Sequence, residues 1–235
     1  MKTVGILGGM GPDATVLLMQ KIIAGIKAQD DNDHIPIICH QNTQVPSRIK
    51  RIIEKSGEDP SPVLQKMAID LQKMNCDFLA MPCNTAHYYY KDICKIVKIP
   101  ILNMIDLAAQ KLSALGFSKI GILASPAVKR ISIFDEIFKN YELESIFAQD
   151  EPSMLAIIKS IKKSTIDDFT IKSFEKQVSD LTVRNCDAIL IACTELSLLE
   201  TYMPSELTCL DTLDCLTEKI ISMATQEDTE IVGEV

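Results

Sequence analysis

The chain has no run of lysine or arginine, and its 24 basic residues against 32 acidic ones leave a net charge of −8 over 235 residues. That balance excludes a surface built to neutralise nucleic-acid phosphates, while a small, locally recognised ligand stays open. Nor does any apolar run approach the ~20 residues that a membrane-spanning helix needs. The opening Met1-Lys2-Thr3-Val4-Gly5-Ile6-Leu7-Gly8-Gly9 lacks the charged and apolar regions of a secretory signal and reads as a strand running into a glycine turn. The eight cysteines, at 39, 76, 83, 94, 186, 193, 209 and 215, include no Cys-x-x-Cys and no Cys/His ligand spacing, which argues against a structural zinc site. Disulfide frameworks belong to short secreted chains. The expectation is a cytoplasmic protein with reduced thiols, no metal, no nucleic-acid partner and no membrane.

What is present is an ordinary globular composition, 47% hydrophobic and 24% charged, long enough for one large domain or two of about 110 residues. Short apolar runs bounded by turn residues alternate with longer stretches of helical period, the pattern of βα units around a parallel sheet. Strands are expected at 3–7, 36–40, 77–81 and 99–102, then at 119–124, 143–148, 188–192 and 206–210. Helices are expected at 13–28, 61–74, 85–97, 103–115, 130–140, 151–163, 167–184, 194–202 and 212–224, with an acidic tail after Met223 that frays.

A segment recurs. Asn75-Cys76-Asp77-Phe78-Leu79-Ala80 leads to Cys83, and Asn185-Cys186-Asp187-Ala188-Ile189-Leu190 leads to Cys193, with eight residues from Asn to the terminal Cys in both copies. Val4-Gly5-Ile6-Leu7 likewise returns as Ile120-Gly121-Ile122-Leu123. The offsets are 110 and 116 residues, a difference of one loop. The chain therefore reads as two pseudosymmetric parallel four-stranded α/β domains facing each other across a cleft. The boundaries fall at 1–103 plus 212–235 for the first domain, carrying Cys83, and 104–211 for the second, carrying Cys193. Ligands of such sheets bind beyond the carboxyl ends of the strands, which is where both cysteines lie.

A thiol between a strand and a helix N-terminus is expected to have a lowered pKa, and thiolate is the form that takes a proton. A cysteine there can equally be a small buried hydrophobe. The repetition of its context, with Asn84, Thr85 and Thr194 beside the two thiols, favours chemistry. Gly8-Gly9-Met10-Gly11 reads as a loop whose N–H groups approach a small anion. Arg48 falls on the cleft side, where a guanidinium can hold a carboxylate bidentately or simply be solvated. Lys162, beside Lys159 and Lys163, reads by itself as part of a solvated helix face. His87 can tune Cys83, accept its proton or serve the structure, and Glu195 beside Cys193 carries the same ambiguity. The remaining six cysteines are assigned to packing.

Gly5-Ile6-Leu7-Gly8-Gly9-Met10-Gly11-Pro12, Pro82-Cys83-Asn84-Thr85-Ala86-His87 and Cys193-Thr194-Glu195 together resemble the aspartate racemase branch of the aspartate/glutamate/hydantoin racemase family, over nearly the whole chain. The resemblance implies a cofactor-independent two-base racemisation of an acidic amino acid, aspartate first and glutamate second, usually by a homodimer. One cysteine as thiolate removes the α-proton and the other as thiol protonates the opposite face, Cys83 acting on the D-enantiomer and Cys193 on the L-enantiomer. By the same resemblance Asn84, Thr85 and Thr194 hold the α-carboxylate and ammonium, Arg48 and Lys162 grip the side-chain carboxylate, and Met10 and Ser125 border the substrate. His87 and Glu195 support the thiols. The chain departs from the family pattern at Ser47 and Ile49 around Arg48, at Ala127-Val128 and at Ala192. The departures concern the side-chain pocket and spare the thiols.

Overall fold

The computed structural model of the chain describes residues 1–225, so the last part of the acidic tail lies outside the described residues. In chain order the elements are β1 (Val4–Gly8), α1 (Pro12–Ala24), β2 (Ile37–Gln41), α2 (Arg48–Ile52), α3 (Ser61–Lys73), β3 (Phe78–Ala80), α4 (Tyr90–Cys94) and α5 (Met104–Ala114). Then follow β4 (Lys119–Leu123), α6 (Pro126–Arg130), α7 (Ile133–Phe138), β5 (Glu144–Phe147), α8 (Glu151–Ile161), α9 (Asp168–Val183), β6 (Ala188–Ile191), β7 (Cys209–Asp211) and α10 (Thr212–Thr225). One sheet has the order β2-β1-β3 and the other β5-β4-β6-β7, and every pairing is parallel. This is the two-sheet α/β class expected from the sequence.

The first sheet has three strands, because the fourth, expected at 99–102, is reduced to a single parallel bridge between Leu79 and Ile101. Leu79 N–H bonds the Pro100 carbonyl and Leu102 N–H returns to Leu79. Pro100 has no N–H of its own, so the ladder stops there.

The repeated segments perform the same local tasks twice. Asn75 and Asn185 both take left-handed backbone, φ 64° and 54°, just past the ends of α3 and α9. That is a conformation asparagine tolerates better than most residues. Asp77 then accepts the Thr3 N–H at 2.6 Å, and Asp187 accepts Ser118 and Lys119 N–H at 2.9 and 2.8 Å. Each aspartate ties its strand to the start of the central strand beside it. Gly5 pairs with Leu79 and Gly121 with Ile189. A Cβ at Gly5 would sit 2.6 Å from Leu79 Cδ2, and one at Gly121 would sit 2.7 Å from Ile189 Cδ1. Both glycines are thus packing requirements of the repeated strand rather than turns.

One apolar cluster runs through both halves, joining Val4, Ile6 and Phe78 to Ile120, Ile122 and Leu190 by way of α5 and α10. Satellite clusters back each sheet on its far side, around Leu64 and Leu71 in one half and around Ile157, Phe174 and Leu181 in the other. The chain re-enters the first half at α10, which packs on α1 and α5.

Candidate active site

β3 and β6 occupy matching places beside the central strands β1 and β4, and both run out toward a cysteine, Cys83 and Cys193. The thiol residues are buried, 7% and 8% exposed. Residues adjacent to each reach across to the other loop. Thr194 Oγ1 donates to the Pro82 carbonyl at 3.2 Å. Asn84 Nδ2 donates at 3.0 Å to Thr212 Oγ1, which in turn donates to the Ile191 carbonyl at 3.1 Å. Asn84 Oδ1 is buried without a hydrogen-bond partner among the described residues. Thr85 and Ser125 hydroxyls meet at 3.3 Å across the same seam.

Cys193 is not the acidic thiol that a helix N-terminus was expected to make. Its pKa is pushed well above the ordinary thiol value, first by burial and then by the neighbouring Glu195 charge, with Lys162 opposing. Cys193 Sγ donates to Glu195 Oε2 at 3.1 Å, and Lys162 Nζ lies 2.8 Å from Glu195 Oε1. The expected helix at 194–202 is a 3-10 helix, Leu196–Tyr202, and that at 85–97 is a 3-10 turn, Thr85–Tyr89, followed by the short α4. Short helices of poor geometry offer little aligned dipole, so burial and a carboxylate at contact distance prevail.

Lys162 leaves the solvated face that its neighbours occupy. It stands at the end of α8 with a 40% exposed side chain, and its tip is turned onto Glu195. Burial lowers its pKa, and the Glu195 charge and hydrogen bond outweigh that, leaving it raised. Arg48 opens α2, a helix absent from the sequence reading and capped by Ser47, whose hydroxyl accepts the Lys50 N–H. Serine is a good N-cap, so the departure at 47 supplies a residue suited to starting this helix. The Arg48 guanidinium donates to the Val45, Pro46 and Met10 carbonyls at 3.3, 3.0 and 3.2 Å. Met10 therefore meets Arg48 through its backbone, while its side chain is buried. Ala127 and Val128 are also buried, behind the Ser125 cap of α6.

The glycine loop closes the other side. Gly9 has φ +90°, and a Cβ there would lie 2.4 Å from the Asn42 backbone. Its N–H goes to Thr15 Oγ1 at 2.9 Å rather than to an anion. Two residues on, a Cβ at Gly11 would stand 3.6 Å from Glu195 Oε1, so the loop abuts the Cys193 side of the cleft.

His87 is a structural histidine. Nδ1 bonds the Cys83 carbonyl at 2.9 Å and Nε2 accepts the Met104 N–H at 3.2 Å, which fixes a neutral Nδ1–H tautomer. Burial drives its pKa down to about 4. A folded-state pKa below the unfolded one makes this stability full above pH 6.5 and lost as pH falls toward 4. Asp211, pushed up to about 7 by burial, acts with the opposite sign. A comparison with His87→Gln isolates the histidine. The wild type should lose about 1.4 kcal/mol more per pH unit in that window than the variant, read from denaturant unfolding at each pH. Equal slopes would contradict the neutral assignment.

Thr212 escaped the sequence reading, although it follows an apolar strand at the carboxyl edge of a sheet just as the cysteines do. Three carboxylates nearby, Glu200, Asp211 and Asp214, bring oxygens within 4.8 Å of one another, the type of donor set that hard cations take. Lys21 Nζ already lies 2.5 Å from Asp214 and 3.8 Å from Glu200.

Two parallel α/β sheets, each running out to a buried cysteine in loops tied together by hydrogen bonds, define a duplicated α/β protein. The sequence pattern of the Asp/Glu/Hydantoin racemase family matches residues 7–220. The broad specificity amino-acid racemase RacX of Bacillus subtilis is 25% identical over 224 residues, covering 93% of this chain and 96% of its own. The Picrophilus torridus aspartate racemase superposes with a TM-score of 0.85 at 28% identity, over 96% of this chain and 95% of the other. A glutamate racemase from Francisella tularensis, solved with D-glutamate, shares the fold at a TM-score of 0.67 and 15% identity, over 96% and 82% of the two chains. The chain belongs to the Asp/Glu/hydantoin racemase family and is an isomerase of the amino-acid racemase class.

Proposed function

We propose that the protein interconverts L- and D-aspartate, with glutamate as a second substrate, by passing the α-proton between Cys83 and Cys193. The observation that carries this reading is the reciprocal tie between the two cysteine loops, Thr194 to Pro82 and Asn84 through Thr212 to Ile191. It holds two buried thiols at one seam, one from each half. An ordinary thiol has a pKa nearer neutrality than a lysine or a carboxylate, so it can serve as acid on one face and, once ionised, as base on the other. Cys193, its pKa raised by burial and Glu195, suits the acid role and relies on Lys162 to ionise. Asn84 Oδ1, unpartnered among the described residues, is an acceptor for the α-ammonium, and the Thr85 hydroxyl serves the α-carboxylate, to which Thr194 could donate only by leaving the Pro82 carbonyl. Arg48 and Lys162 are the groups for a side-chain carboxylate, which would compete with the bonds that each makes within the chain. The same reading takes the division at 103/104 and 211/212 as the domain boundary and the working form as a cytoplasmic homodimer, as the family resemblance implies.

Engagement of both cations, Lys162 by Glu195 and Arg48 by carbonyls, favours a second reading in which the substrate range extends beyond acidic side chains. Proton NMR in deuterium oxide, with no pyridoxal phosphate added, tests both. Loss of the α-proton signal from L- and D-aspartate, with decay of optical rotation, is the expected result. Exchange confined to non-acidic amino acids would leave the second reading standing, and no exchange from any amino acid would refute both.

A further inference from the structure

We propose that Thr212, through its side-chain hydroxyl, is the positioning residue that sets the two thiols relative to each other. The inference rests on the two-thiol reading above and extends it to a residue outside both cysteine motifs. Thr212 is fully buried at the first position of α10, where the chain leaves the second sheet and returns to the first half. Its place is fixed from behind, since Asp211 Oδ1 accepts the Leu213 N–H at 2.7 Å. Its one oxygen does two things at once. It accepts from Asn84, the residue after Cys83, and donates to Ile191, the last residue of the strand that leads to Cys193.

Only a hydroxyl combines donor and acceptor in so small a group, so no apolar side chain of similar shape can replace it. The bond matters most for Asn84. That side chain makes no other hydrogen bond among the described residues, its Oδ1 being unpartnered. Without Thr212 both ends of the Asn84 carboxamide would be unsatisfied in a site only 3% exposed, and the group would turn to find partners. Among the described residues, the Cys83 loop would then keep the Thr194–Pro82 bond alone as its hydrogen-bonded tie to the Cys193 loop.

The test compares Thr212→Val with Thr212→Ser in the full chain, measuring kcat and KM for racemisation beside α-proton exchange in deuterium oxide. A displacement on the ångström scale between reacting groups costs on the order of 100-fold. Thr212→Val should therefore lose about 10- to 100-fold in kcat, with KM rising as well because Asn84 turns from the α-ammonium, and Thr212→Ser should stay within about threefold of wild type in both. Thr212→Val should also return more deuterated substrate per inverted product, because one thiol still removes the proton while the other is out of line to complete inversion. Should that variant not fold, Thr212→Cys takes its place, since it keeps the volume but donates and accepts weakly. Wild-type kcat in Thr212→Val, or equal losses in Val and Ser with an unchanged ratio of exchange to inversion, would overturn the assignment while leaving the racemase intact. Absence of exchange in the wild type would overturn the racemase reading and this inference with it.

Discussion

Cys83→Ser and Cys193→Ser should each lower racemisation by roughly 10²- to 10⁴-fold, the range that a positioned acid or base contributes. A serine hydroxyl keeps the shape of the thiol but ionises far too weakly to take an α-proton near neutral pH. Because enantiomers have equal free energy, kcat/KM must fall equally in both directions whichever cysteine is changed. The two variants are told apart by exchange without inversion. Cys193→Ser retains Cys83 and should wash deuterium slowly into the D-enantiomer only, and Cys83→Ser into the L-enantiomer only. Monitoring each pure enantiomer by proton NMR in deuterium oxide reads both effects. Full activity in either single variant would remove the two-thiol mechanism.

Glu195→Gln and Lys162→Met should move the Cys193 thiol in opposite directions. Glu195 raises that pKa by its charge and by accepting the S–H, while Lys162 lowers it, although burial is the largest single cause. Removing the carboxylate leaves Lys162 Nζ without its 2.8 Å partner near the thiol and brings the pKa down. Removing the lysine leaves a buried carboxylate, 10% exposed, uncompensated beside it and sends the pKa further up. The pH profile of Cys193 alkylation by iodoacetamide, followed by peptide mass spectrometry, should shift to lower pH in the first variant and to higher pH in the second. Lys162→Met should also lower kcat by about tenfold or more, since it moves the thiol still further from the working pH. Profiles unmoved by either change would mean that Glu195 and Lys162 do not govern the thiol.

The strands and the two cysteines were legible because their signals are local: apolar runs between turn residues, and a motif written twice. Asn75, Asp77, Asn185 and Asp187 carried the repeat, and each proves to have a backbone task that needs that residue type. The electrostatics of Cys193 was not legible. It depends on Lys162, 31 residues away in sequence, arriving at Glu195 by the packing of α8, and no spacing rule announces that. At Cys193 the expected dipole effect failed for a local reason, the collapse of the following helix into a 3-10 helix. Thr212 was hidden because a single threonine after a strand has no pattern. Only the sheet order, with β7 next to β6, brings it beside Ile191.

The apolar layer common to both sheets governs how a substrate can enter. Both cysteines are less than one-tenth exposed, so on the two-thiol reading the loops around them must move to admit an amino acid. The core beneath that seam is continuous from Val4 to Leu190 through α5 and α10, and close-packed interiors do not stretch. A core shared in this way resists the halves swinging apart as separate bodies on a slack linker. On the two-thiol reading, such a layer favours small sliding steps, a shear motion, over a hinge. Admission of substrate and release of product then share one stiff movement, which makes that movement, beside the proton transfers, a natural limit on turnover.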